Sequence, residues 1–263
     1  MSGNKGARFA VNTVIKLLVY LLICMAAYVL CGLMVGAGRH FAPPVAAAAV
    51  TWLFLRFMEG GKRSFFAKGY MLENIVPGAV IGVLTAALPM VIELLLGMLS
   101  IDGFTSGADI REPFYEVFRE SLFAGIVFFG YIFHILQKDA GNICAVMVSS
   151  LLYAAFGLIT LGNAEGVWLV INIKGDMDII YILSLLLTGA AAGICIMSFG
   201  DMRSGTAFIC LKKLTEIMTV MLVTVRHDGA VVRNAEFMYT EAVNAVVLGV
   251  ICVCMFVSAV KKR

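Results

Sequence analysis

A handful of ionisable residues stand inside otherwise apolar runs: Glu93, Arg119, Glu120, Lys212, Lys213 and Glu216. A charge at membrane depth costs at least about 2.5 kcal/mol, so each of these needs a partner, a wet cavity or a task. Glu120 is the candidate general base, a carboxylate able to activate water. Arg119, Lys213 and Glu216 are the candidates to line a polar cavity with it. Lys212 and Glu216 are four apart, and Lys213 and Glu216 three apart, so either lysine can be neutralised within one helix. The competing arrangement sets Glu120 across the bundle from the lysine pair. Glu93 reads as a buried or snorkelling carboxylate, and Arg56 lies near enough to the end of its run to snorkel.

Other chemistry finds little footing. His40, His134 and His227 fall at separate places along the chain, and no His-Glu-x-x-His spacing offers a zinc site. A nucleophile elbow, a phosphate loop and a dinucleotide fingerprint are likewise missing from the sequence, so neither metal nor cofactor is expected. The seven cysteines all lie in apolar runs, where a thiol behaves as a small hydrophobe. Cys252 and Cys254 point to different helix faces and do not form a shared ligand pair.

The elements that must position these residues are membrane helices. Hydrophobic residues make up 61% of the chain and charged ones 14%, with mean hydropathy +0.96. The apolar residues fall in runs of roughly 17 to 25, the length that crosses a hydrocarbon core as a helix. About eight spans are predicted, near 12–36, 42–58, 74–99, 115–136, 143–161, 179–199, 206–225 and 242–260. The expected fold class is therefore all-α, a polytopic transmembrane helix bundle, in one integral membrane domain over 1–263. Pro43-Pro44 suit the start of the second span, and Pro77 and Pro89 predict a kink in the third. Residues 64–73 read as an interfacial connector with aromatic anchors, and 167–173 as a re-entrant or surface half-helix.

A net charge of +3 is too small to imply nucleic acid and serves instead as a topology signal. With eight spans, the loops that share a side with the termini carry Lys62, Arg63, Lys138, Arg203 and the closing Lys261-Lys262-Arg263. The positive-inside rule then places both termini in the cytoplasm, with a bacterial cytoplasmic membrane the expected location.

Arg119-Glu120-Ser121-Leu122-Phe123-Ala124-Gly125 resembles the first motif, Glu-Glu-x-x-x-Arg-Gly, of the CAAX protease and bacteriocin-processing (CPBP) family of intramembrane proteases. Ala145 to Tyr153, with Ser149-Ser150-Leu151-Leu152, is similar to that family's small-residue helix. Leu185 to Gly193 followed by Arg203-Ser204-Gly205-Thr206 resembles its Gly-rich helix and the turn before its last motif helix. The resemblance covers about Arg119 to Glu216 and implies a CPBP-like fold with Glu120 as catalytic glutamate. Arg119 replaces the family's first glutamate and Ala124 its arginine. The fifth-span histidine position falls near Gly157, and Lys213 and Glu216 stand where the last motif's histidine or asparagine belongs. The resemblance thus implies a degenerate protease fold that binds a membrane or lipidated peptide. A divergent active peptidase using Glu120 is one alternative. A transporter, channel or permease subunit, with Glu93, Glu120 and the lysines along its path, is the other.

Overall fold

A computed structural model describes residues 3–34, 36, 38–58, 71–97, 100–104, 111–161, 169–171, 177–226 and 233–261. In chain order, the first three helices are α1 (Gly3–Gly32), α2 (Gly38–Met58) and α3 (Met71–Leu95), followed by strand β1 (Ser100–Phe104). The fourth span comprises α4 (Arg111–Ala124), a π-helical segment (Gly125–Ile132) and α5 (Phe133–Ala140). Next come α6 (Asn142–Gly157), β2 (Ile159–Leu161), β3 (Leu169–Ile171), α7 (Met177–Phe199), α8 (Met202–Leu222), β4 (Val223–Arg226) and α9 (Arg233–Lys261).

Among the described residues five helices are long and apolar enough to cross a membrane, namely Asn12–Gly32, Gly38–Met58, Leu72–Leu95, Phe114–Ala140 and Ile179–Phe199. Asn142–Gly157 and Ala242–Ser258 are apolar but shorter. The protein is an α-helical membrane-embedded bundle. Its outer surface carries large aliphatic side chains such as Leu22, Leu30, Val80, Leu151 and Val253, the surface that a lipid solvent accepts and water does not.

The fourth span is the pillar of the bundle. Its apolar window is 72% buried, against 17% for α1. Phe123, Val127, Phe128, Phe129, Tyr131, Ile132 and Phe133 are all buried. Aromatic pairs fix how α1 and α2 lie on it. Tyr20 packs on Tyr131 at 4.3 Å and Tyr28 on Phe123 at 4.6 Å with tilted rings, and Thr13 donates to Asp139 at 2.9 Å, so α1 runs against the pillar. Phe41 meets Phe118 and Phe54 meets Tyr131, so α2 runs with it.

Small residues set the remaining contacts. A Cβ on Gly82 would stand 2.5 Å from the Phe208 carbonyl oxygen and 3.1 Å from the Lys212 nitrogen, and one on Gly78 would strike the Ser204 backbone. The pairing of Gly78 with Ser204 and Gly82 with Phe208 makes α3 and α8 parallel neighbours in backbone contact, the close approach that a small-xxx-small stripe allows. In the same way Gly189 meets Ser150 and Gly193 meets Val146, which sets α6 against α7. Positive φ at Gly141 (87°) and Gly200 (74°) closes the tight α5–α6 and α7–α8 turns, a conformation glycine adopts without strain.

Several expectations are corrected. α2 opens at Gly38, a turn before the proline pair, where Arg39 donates to the Gly36 carbonyl. Pro43 and Pro44 remove only two neighbouring amide donors near the helix start and are packed inside the helix as buried residues. Pro77 and Pro89 both lie within one continuous α3. The described part of 167–173 is extended rather than helical. β3 pairs antiparallel with β2, Ile159 opposite Ile171 and Leu161 opposite Leu169, as the β-branched run Ile159-Thr160 and Val170-Ile171 favours. The fifth and seventh predicted spans, α6 and α8, accordingly end at Gly157 and Leu222, and β4 pairs with β1 beyond α8. The connector predicted at 64–73 lies outside the described residues except for the first turn of α3.

Candidate functional site

α4 and α8 run antiparallel, Gly125 lying against Thr206 at one level. Five residues further up α4 and seven further up α8 the two helices bring opposite charges together. Lys213 Nζ donates to Glu120 Oε2 at 2.9 Å. The other carboxylate oxygen lies 3.5 Å from Arg119 Nη2, which is also 4.0 Å from Glu116 Oε1. Arg119 is held over the Tyr28 ring at 5.9 Å, a cation–π contact. One turn along α8, the buried Lys212 donates to Glu216.

Both arrangements expected of the lysines therefore occur, divided between them. Lys212 is neutralised within its own helix, and Lys213 reaches across to Glu120 instead of to Glu216. Glu120, Arg119, Lys213 and Glu216 gather at one level of the bundle. Tyr28 from α1 and Tyr153 from α6 are within electrostatic range of the same charges. Three carboxylates, Glu116, Glu120 and Glu216, face three cations, Arg119, Lys212 and Lys213. Glu120, Lys213 and Glu216 keep roughly a third of their side-chain surface open, which at membrane depth demands a polar cleft rather than lipid.

Arg119 and Lys213 hold both oxygens of Glu120. A carboxylate so engaged is an ion-pair member first, and proton abstraction would require it to leave two partners. Glu93 is buried on α3. His40 sits on α2 beside Tyr115 and His134 on α5, while His227 lies outside the described residues. Among the described residues no group of three or more His, Cys, Asp or Glu could hold a metal ion.

The opposite side of the α4–α8 seam is apolar. Val117, Phe118, Leu122 and Ile126 with Ala207, Leu211 and Leu214 line a groove of about 450 Å³, closed on its third side by Ile75 of α3 and bearing Arg203 near the α8 N-terminus. The α4–α8 pair thus carries its charges on one face and an apolar groove on the other.

Two features escaped the sequence reading. Asp201, buried to 2% exposure, caps α8 by accepting from the Arg203 backbone at 2.9 Å. It also accepts from Asn74 Nδ2 at 3.0 Å and forms an ion pair with Arg203, whose Nε lies 3.1 Å away. The Gly200-Asp201 pair before a helix was its available signal. The π-helical segment has no comparable sequence signature.

The five apolar helices and this internal charge cluster define a class, a helical bundle built for a bilayer. The chain matches no family model, and no curated protein matches it.

Proposed function

We propose that the chain is a CPBP-like intramembrane protein, catalytically degenerate, that binds a membrane or lipidated peptide in the cleft beside Glu120. The observation that carries this reading is the double engagement of Glu120 by Lys213 and Arg119. It leaves a charge-balanced polar cleft suited to recognition and withdraws the one carboxylate that the family motif would use on water.

Packing between the segments that carry the resemblance supports it. Gly125 abuts Thr206, Gly189 abuts Ser150, and Gly205 abuts Ala192 and Ile196, so the four stretches form one contiguous core. The direction of travel supports eight crossings. The helix contacts alternate strictly along the chain, and the parallel α3 and α8 require an even number of reversals between them. That number is even only if α6 crosses as well, its 16 residues extending about 24 Å. On this reading of eight crossings with the basic loops inside, both termini are cytoplasmic and the membrane is a bacterial cytoplasmic one.

The test is a purified sample in lipid nanodiscs with a fluorescent farnesylated peptide. Saturable binding without cleavage is expected, weakened by Lys213→Met. Cleavage of the peptide that disappears in Glu120→Gln would overturn the reading in favour of an active peptidase.

A further inference from the structure

The charges beside Glu120 lie towards one end of the bundle. Glu120 stands nine residues inside the start of α4 at Arg111, and Lys213 nine before the end of α8 at Leu222, about 13 Å in each case. Tyr28 is four residues from the end of α1 at Gly32, and Tyr153 four from the end of α6 at Gly157, about 6 Å. In the other direction the fourth span continues from Glu120 to Ala140, about 30 Å. Exposure follows the same axis. The Glu116 side chain, one turn nearer the end, is 58% exposed and that of Glu120 36%, and carboxylates so exposed must meet water rather than lipid. One turn the other way Phe123 and Ala124 are buried, as are Phe208 and Ile209 beyond the lysines. Phe156 plugs the interior at that level, its ring centroid 5.4 Å from that of Phe123, 5.5 Å from Phe128 and 5.3 Å from Tyr28. The cluster is thus wet from the near end and closed off from the far end by packed rings.

The near end is the one at which α1 finishes and α4 begins. Its connections hold Arg39, Arg111, Lys174, Arg226 and Arg233, whereas the far end holds Lys62, Arg63, Lys138, Arg203 and the closing Lys261-Lys262-Arg263 together with the basic N-terminal segment. The richer end belongs to the cytoplasm. Resting on the peptide-binding reading of the cleft and on its eight crossings, we propose that the cleft opens to the extracytoplasmic face and takes a peptide presented on that side, not one arriving from the cytoplasm.

The experiment labels the full chain in bacterial spheroplasts, which present the extracytoplasmic face, and in inverted membrane vesicles, which present the cytoplasmic one. The probe is a charged, membrane-impermeant methanethiosulfonate, read as the mass added to the purified protein above the wild-type background of native cysteines. Glu116→Cys at the mouth of the cleft should react at least tenfold faster in spheroplasts than in inverted vesicles. Ala140→Cys, exposed at the α5–α6 turn, should show the opposite preference. On the unsubstituted chain a quaternary, membrane-impermeant carbodiimide should modify Glu116 in spheroplasts only, which keeps the test independent of how the cysteine variant folds. Modification of position 116 from inverted vesicles, or from neither side while Ala140→Cys reacts, would overturn the extracytoplasmic opening. Nanodiscs expose both faces, so peptide binding there is read independently of sidedness. Saturable peptide binding with labelling from the cytoplasmic side would sink the opening alone, and extracytoplasmic labelling with no peptide binding would sink the peptide partner.

Discussion

The same substitution, glycine to alanine, should act with opposite sign at two positions in this bundle. At Gly82 the added methyl would meet backbone, with the Phe208 oxygen 2.5 Å away and the Lys212 nitrogen 3.1 Å away. Neither atom can swing aside as a side chain would. Restoring a 3.4 Å contact needs about 0.9 Å of separation between α3 and α8, a gap that forfeits a quarter to a half of the dispersion well for each atom pair it opens. In a bilayer no hydrophobic drive compensates, because lipid is as apolar as the helix surface. Overpacking of this kind costs about 1–3 kcal/mol. At Gly249 of α9 nothing lies within 4 Å of the new methyl. Relief of the helical glycine's conformational freedom should then stabilise by about 0.5–1 kcal/mol. Unfolding by dodecyl sulfate titration in mixed micelles, followed by circular dichroism, reads both. Gly82→Ala within about 0.3 kcal/mol of wild type would refute the backbone-contact account of the α3–α8 interface.

The Glu120–Lys213 pair predicts a coupling of about 1–3 kcal/mol in a double-mutant cycle of Glu120→Gln and Lys213→Met, between the values of exposed and fully buried pairs. The charge-swapped Glu120→Lys, Lys213→Glu protein should recover part of it, and a coupling of zero would remove the pair as a clip between α4 and α8. Asp201→Ala should destabilise by about 1–3 kcal/mol, since it removes a helix cap and the ion pair with Arg203. Asp201→Asn, which keeps a capping oxygen, should cost less in the same titration. Tyr20→Phe deletes the 2.7 Å hydrogen bond to Thr51 and should cost about 1 kcal/mol, because Thr51 retains its bond to the Ala47 carbonyl.

What the sequence disclosed and what it withheld divide along a physical line. Hydrophobic run length depends on the solvent alone, so the helices lie close to where the runs predict them. The rarity of charge inside those runs singled out Arg119, Glu120, Lys213 and Glu216. Their meeting could not be derived from spacing, because Glu120 and Lys213 are 93 residues apart and only the α4–α8 seam joins them. Element ends were less legible. Val170 and Ile171 are equally at home in a membrane helix and in a strand, and only pairing with Ile159 to Leu161 decides between the two.

The π-helical segment shows why the site itself lay beyond sequence reasoning. Gly125 to Ile132 carries no proline, and its residues are ordinary for an apolar helix. A π turn accommodates an extra residue, so it rotates everything before it relative to everything after it. Below it, Phe133, Ile135 and Leu136 are buried. Above it, Glu120 faces Lys213 while Val117, Phe118 and Leu122 face the groove. A regular α-helix through 125–132 would turn α4 by about 100° per residue removed. Glu120 would then turn away from Lys213, and the apolar face would no longer lie on the groove. The position of Gly125, tight against Thr206, shows where the rotation is held. Both sides of the α4–α8 wall, the charged and the apolar, therefore depend on a buried irregularity that no pattern of residue types announces.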